Sequence, residues 1–322
     1  MRDRMLANPQ YDNSGRLRHL LTVEGMPPGL ANEIFSRAGS FLEPGAGNIA
    51  KRPLLGGRLL INAFFEPSTR TRLAFEIAAK ALGAEVVNFD AVSSSLAKGE
   101  IFADTVQTII ALGADIVVVR HAAAGAARQL ASIAPAQVSV INGGDGCHAH
   151  PTQALLDAWT VMRGCGRIEG LRIVLVGDIL HSRVARSDIH LFSALGAGRI
   201  VVCGPASLVP RQFEQLGVEV EHDLDKAVRS ADVVIALRPQ LERMHGQYFA
   251  SAGAYLRDYG ITKSRMAAAA RKALLLHPGP LNRGVEIVSD VADGPQSQIL
   301  NQVTNGVAIR MAVMTLLAGI DI

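Results

Sequence analysis

Three cysteines, Cys147, Cys165 and Cys203, are too few and too scattered for a disulfide framework, which points to a reducing compartment. Aromatic residues make up only 5% of 322 positions although 49% are hydrophobic, a balance that fits an α/β enzyme better than a disordered chain. The net charge of +3 is too small for a nucleic-acid coat, yet it allows a local basic pocket for anionic metabolites. No run of 18 apolar residues occurs, so no membrane span is expected. Met1-Arg2-Asp3-Arg4-Met5 has no apolar core like that of a signal peptide, and the expected location is cytoplasmic. There is no internal repeat, and the only biased tract is a short alanine-rich patch near Ala267.

What is present is an alternation. Apolar runs such as Leu59–Phe65, Asp115–Val119, Arg172–Val176 and Val233–Leu237 read as buried strands, and helical periodicity lies between them. Alternating strands and helices imply parallel sheets covered on both faces. The length allows two such domains, joined through the helix that follows His150. In such sheets ligands sit beyond the carboxyl ends of strands. Polar clusters fall there: Ser68–Arg72, Arg120, His150, Arg183, Arg238 and His277.

The stretch Phe65-Glu66-Pro67-Ser68-Thr69-Arg70-Thr71-Arg72 leads from a strand into a helix. Leu73, Ile77 and Ala81, with Ala74 and Ala78 beside them, are expected to form the buried face of that helix, and Ser68 or Thr69 to cap it. A helix N-terminus carries open backbone N–H groups and a positive dipole end. Two arginines there are locally unfavourable unless an anion arrives, so the residues read as a phosphate site. An ordinary cap with solvated arginines is the other reading.

Taken together the motifs carry a family resemblance. Ser68-Thr69-Arg70-Thr71-Arg72, Lys98-Gly99-Glu100, Arg120-His121 and His150-Pro151-Thr152-Gln153 resemble, in order and spacing, the signature of the aspartate/ornithine transcarbamoylases. Arg238-Pro239-Gln240, the turn His277-Pro278-Gly279-Pro280-Leu281, and Asp178-Ile179-Leu180-His181-Ser182-Arg183 resemble the aspartate branch. An ornithine-type Asp-x-x-x-Ser-Met-Gly loop and His-Cys-Leu-Pro turn are absent. Val174-Leu175-Val176-Gly177-Asp178 resembles a dinucleotide strand, but no G-x-G-x-x-G follows it.

The resemblance implies transfer of a carbamoyl group from carbamoyl phosphate to the amino group of L-aspartate, early in pyrimidine (UMP) synthesis, without metal or cofactor. Hydrogen-bond donors and arginines suffice for such chemistry. By the same resemblance, Ser68, Thr69, Arg70 and Thr71 hold the phosphate, and Thr71, Arg120 and His150 face the carbonyl oxygen. Gln153 meets the amide side of the donor. Ser94 and Lys98 belong to a loop that reaches a neighbouring subunit, with Ser95 an alternative to Ser94. Arg183, Arg238 and Gln240 hold the aspartate, while Gly279 and Pro280 present backbone carbonyls. Gly279 departs from the leucine of the best-studied members.

From the residues alone, Arg120 could be a surface ion pair and His150 a helix cap. Cys147, His148 and His150 lack a partner pair at zinc-site spacing. The fold implied is two doubly wound domains. Residues 1–151 bind carbamoyl phosphate, the C-terminal helix 300–322 returns to them, and residues 152–299 bind aspartate. A homotrimer with shared sites is implied, and association with regulatory or dihydroorotase-like chains is left open. A non-catalytic subunit of the same fold would be expected to have lost Lys98, His150 or Arg238, and none is lost.

Overall fold

The predicted alternation produces two parallel sheets. The computed structural model describes residues 8–43, 48–90, 101–240 and 251–322. In chain order the first elements are α1 (Pro28–Ser40), β1 (Leu59–Phe64), α2 (Thr69–Ala81), β2 (Glu85–Asp90), α3 (Phe102–Ala111), β3 (Ile116–His121), α4 (Ala126–Ile133), β4 (Ser139–Asp145) and α5 (Pro151–Cys165). There follow β5 (Arg172–Val176), α6 (Arg183–Ala194), β6 (Arg199–Cys203), β7 (Glu219–Glu221), α7 (Leu224–Ala227), β8 (Val233–Ala236), α8 (Ala252–Tyr259), α9 (Lys263–Ala268), β9 (Leu274–Leu276), α10 (Ser289–Ala292) and α11 (Ile299–Leu317).

The chain divides into two compact units, one of Met1–Val23, Gly29–Thr152 and Gly306–Ile322, the other of Glu24–Pro28 and Gln153–Asn305. The end of α11 thus returns to the N-terminal unit, as expected. There the Arg310 guanidinium lies 4.9 Å from the Phe75 ring, and Arg37 Nη1 donates to Ile320 O at 2.5 Å.

In the first unit the strand order is β2-β1-β3-β4, all parallel. Ile61, Ala63, Val117, Val119 and Val140 pack with Val106 and Ile109 of α3 and Leu130 of α4. In the second the order is β7-β6-β5-β8-β9, again parallel. Val174, Val176, Val201, Val234 and Leu275 form its core with Leu224, Ile261, Met266 and Ile287. Each such large side chain taken from water contributes about 1.5–3 kcal/mol.

The face predicted for α2 is corrected in part, since Ala78 and Ala81 are buried as expected. Leu73 and Ile77 are 45% and 51% exposed, while Thr71, Phe75, Ala78, Ala79 and Ala81 are buried. The Phe75 ring turns that side inward, where it meets Arg310. β4 also runs further than its glycines suggest, through Asn142, Gly143, Gly144 and Asp145. Residues Arg211–Leu216 form a 3-10 helix rather than an α-helix. The short helices α4 and α8, eight residues each, are elements that the apolar pattern does not signal.

Each sheet reverses its strand order once, between β1 and β3 in the first and between β5 and β8 in the second. Such switch points open a crevice at the carboxyl ends of the two strands. The residues leaving β1 and β3 are the Ser68–Arg72 turn and Arg120; those leaving β5 and β8 are Asp178–Arg183 and Arg238–Gln240. Among the described residues no helix is long and apolar enough to cross a membrane.

Candidate active site

In the first unit β1 ends at Phe64, and Phe65 N donates to Arg120 O at 2.8 Å, so the turn is tied to the end of β3. Ser68 occupies the N-cap position of α2 with extended backbone, φ −162°. The expected side-chain cap does not form. Ser68 Oγ donates to Thr71 Oγ1 at 3.0 Å instead of accepting from a first-turn N–H. No acidic residue occupies that turn. Arg70 is exposed and makes no hydrogen bond or ion pair among the described residues. Open N–H groups, two threonines and an uncommitted guanidinium are groups of the kind that bind anions.

Arg120 sits where the pairing of β3 with β4 shifts register, between Val119 and His121. Such a bulge re-aims a side chain. Its Nη1 donates to Gly143 O at 3.1 Å and its Nη2 to Glu66 Oε1 at 3.2 Å. Arg120 thus forms an ion pair that is part-buried rather than at the surface, and it joins the guanidinium to the turn that precedes Arg70.

His150 is 5% exposed. Burial, then the charges of Arg120 and Arg310, hold its imidazole well below the usual histidine range. It is a neutral ring that can donate from one nitrogen. The turn before it is built on Asp145, which accepts from Gly125 N, Asn142 Nδ2 and Ala149 N and contacts His148 Nδ1 at 3.0 Å. Among the described residues no group of three or more His, Cys, Asp or Glu side chains could hold a metal ion.

In the second unit Gly177 follows β5 with φ +132°, and a Cβ there would stand 2.2 Å from Leu237 O. Only glycine permits this approach of the two strand ends. The next residue, Asp178, is fully buried and accepts from His181 N at 3.1 Å, His181 Nδ1 at 2.9 Å and Gln240 N at 3.2 Å. Gln240 Nε2 donates to His181 O at 3.2 Å. The loops after β5 and β8 are thereby locked to each other. Ser182 Oγ caps α6 by accepting from Ala185 N, and Arg183, 3% exposed, is the first residue of that helix. Arg238 is half-buried immediately after β8.

After β9, His277 anchors the turn that carries Gly279 and Pro280. Gly279 N donates to His277 Nδ1 at 2.8 Å, and His277 Nε2 lies 3.2 Å from Glu286 Oε1. Asn282 N donates to that same Glu286 oxygen at 2.6 Å. Gly279 has φ +67°, a left-handed conformation that disfavours leucine, so the departure at this position matches its backbone. Gln153, 8% exposed on α5, donates Nε2 to both oxygens of Asp157 at 3.0 and 3.1 Å. A carboxylate only accepts, so the Gln153 amide must turn its carbonyl oxygen the other way.

The structure therefore gathers Ser68–Thr71, Arg120 and His150 in one unit. In the other, Gln240 is bonded to the Asp178–His181 turn that precedes Arg183, and Gly279 to His277. Ser94 and Lys98 lie outside the described residues. Sequence reasoning missed Glu66, Arg310, Asp178 and His181 as supports. Arg310 could have been noticed as the one charge in the apolar run Val307–Met314.

Residues 18–163 match the carbamoyl-P binding domain, and residues 169–317 the Asp/Orn binding domain, of the aspartate/ornithine carbamoyltransferases. An aspartate transcarbamoylase from Trypanosoma cruzi in complex with carbamoyl phosphate is 30% identical, with a TM-score of 0.82 over 94% of this chain and 96% of that one. The same enzyme with carbamoyl aspartate and phosphate gives 29% identity and a TM-score of 0.81 over 94% and 96% of the two chains. An ornithine carbamoyltransferase from Pyrococcus furiosus also gives 29% and 0.81, over 94% and 98%. The chain belongs to the aspartate/ornithine carbamoyltransferase family.

Proposed function

We propose that this enzyme transfers the carbamoyl group of carbamoyl phosphate to the α-amino group of L-aspartate, giving N-carbamoyl-L-aspartate and phosphate in de novo pyrimidine synthesis. The observation that carries the reading is the uncapped start of α2 with an uncommitted Arg70. An exposed guanidinium beside open N–H groups has no structural task, and a phosphate supplies one.

The donor's phosphate binds Ser68, Thr69, Arg70 and Thr71. Its carbonyl oxygen takes hydrogen bonds from Thr71, Arg120 and neutral His150, and its NH2 donates to the Gln153 carbonyl. The aspartate amine attacks the carbonyl carbon, the new C–N bond forms, and charge collects on the carbonyl oxygen. Collapse breaks the C–O bond to phosphate, which leaves with its electron pair held by Arg70. The proton shed by the nitrogen passes to phosphate or water. Fixed donors aimed at charge that develops only during reaction are the main source of such rate enhancement.

Arg183 and Arg238 pair with the two carboxylates of aspartate, Gln240 orients the acceptor, and the carbonyls near Gly279 and Pro280 receive its amine. Two arginines suit a diacid, since a guanidinium forks onto a carboxylate. The product complex of the Trypanosoma relative, with carbamoyl aspartate and phosphate, supports this choice. In this reading the first unit is the donor domain and the second the acceptor domain.

The protein acts as a cytoplasmic homotrimer in which Ser94 and Lys98 serve a neighbour's site. Apolar side chains left exposed on the first unit, Leu73, Ile77 and Val87, support association. A colorimetric assay with aspartate and ornithine offered separately tests the reading. Carbamoyl-aspartate should accumulate and citrulline should not; the reverse would overturn the choice of acceptor. Native mass measures the trimer.

A further inference from the structure

Gln153 and the His277–Pro280 turn are joined by two side chains that no motif singles out. Asp157 lies one helical turn after Gln153 on α5 and is fully buried. Besides the Gln153 amide it accepts from Gln302 Nε2, at 2.6 Å to Oδ1. Gln302, on α11 and 3% exposed, spends its other end on the backbone: Gln302 Oε1 accepts from His277 N at 2.9 Å. His277 then holds Gly279 N, and Glu286 holds both His277 and Asn282 N. The path from Gln153 to Gly279 is thus continuous, every step 3.2 Å or less, and its members lie in one unit.

The chemistry of the path fixes its direction. Asp157 is acceptor-only, so both glutamines must present NH2 to it. That choice leaves the Gln302 oxygen for His277 N and the Gln153 oxygen free to face outward. Asp188 of α6, fully buried, stands beside Asp157. Burial and the Asp157 charge push its carboxyl well above the usual range.

We infer that Asp157 and Gln302 are positioning residues, which set the amide face that Gln153 offers to the carbamoyl NH2 and tie it to the turn that receives the acceptor amine. This rests on the carbamoyl-transfer reading above. It assigns the amide orientation to the carboxylate rather than to the substrate.

Steady-state kinetics of the full chain, run against each substrate in turn, tests it. Asp157→Asn removes the acceptor-only partner, so the Gln153 amide can flip and offer NH2 to NH2. KM for carbamoyl phosphate should rise by up to about tenfold, the size of one lost neutral hydrogen bond, with a smaller change for aspartate. Gln302→Met keeps the length of the side chain but frees His277 N. It should act mainly on the acceptor, raising KM for aspartate or lowering kcat. The effects of Gln153→Ala and Gln302→Met should be non-additive, as for members of one network.

If both variants keep each KM within twofold of wild type while only the melting temperature falls, the residues are merely structural and the inference fails. Should Asp157→Asn not fold, Gln302→Met decides alone. Absence of wild-type turnover with aspartate would overturn the function as well, whereas normal wild-type turnover with unmoved variants overturns only the positioning role.

Discussion

Arg70→Ala separates function from stability more sharply than any other change. The side chain is exposed, makes no hydrogen bond or ion pair among the described residues, and lies in the first turn of α2. Its loss removes no fold contact. A cation near a positive helix end costs about 0.3–1 kcal/mol, less when solvated, so the variant should be as stable as wild type or slightly more so. At roughly 2–4 °C per kcal/mol for a protein of this size, the melting temperature should rise by about 1 °C or stay level.

Turnover should fall about 10²–10³-fold, or roughly 2.7–4 kcal/mol, as for other lost transition-state donors. Inorganic phosphate gives an independent readout. At about 100 times its Kd a ligand contributes ~2.7 kcal/mol, so phosphate should raise the wild-type melting temperature by roughly 5–10 °C. Most of that shift should vanish in the variant. Near-normal turnover, or an unchanged phosphate shift, would refute the assignment of this turn to phosphate.

Two buried groups should tilt stability with pH in opposite senses. His19, whose Nδ1 accepts from Val140 N at 2.9 Å, is lowered to about 4 by burial and then by Arg18. Its contribution is present above pH 6.5 and is lost as pH falls toward 4, so His19→Gln should flatten the acid limb of a melting-temperature profile. Asp188 is raised by burial and by Asp157, so its contribution is present below the usual carboxylate range and is lost as pH climbs through its folded value. Asp188→Asn should be more stable than wild type at pH 8, and identical slopes in the two proteins would sink the assignment. Gly177→Ala meets a left-handed φ of +132° and a carbonyl 2.2 Å from the new carbon. It should cost about 2–5 kcal/mol in denaturant unfolding, and a value under about 1 would mean that β5 and β8 can separate freely.

Much of the fold is legible in the sequence. The alternation of Leu59–Phe65, Asp115–Val119 and Arg172–Val176 with helices gives two parallel sheets, because buried strands must read as continuous apolar runs. The positions of Arg70, Arg120 and His150 are legible because each stands at the end of a strand or start of a helix beside a polar turn. The packed side of α2 was misread because Leu73 and Ile77 are more apolar on paper than Thr71, whereas Phe75 and the distant Arg310 decide the orientation. Gln302 was invisible for a similar reason: its partner Asp157 is 145 residues away, and glutamine in a helix carries no pattern of its own.

The single reversal of strand order in each sheet has an evolutionary consequence. In the proposed reading the groups that meet the donor's phosphate and carbonyl follow β1, β3 and β4, and those that meet the acceptor follow β5, β8 and β9. On that reading the acceptor's ligands hang from a scaffold of their own, and Gln153 is the one donor contact that shares it. On the same reading, editing residues 178–183, 238–240 and 277–281 would exchange one amino-acid acceptor for another while Ser68–Thr71, Arg120 and His150 stay as they are.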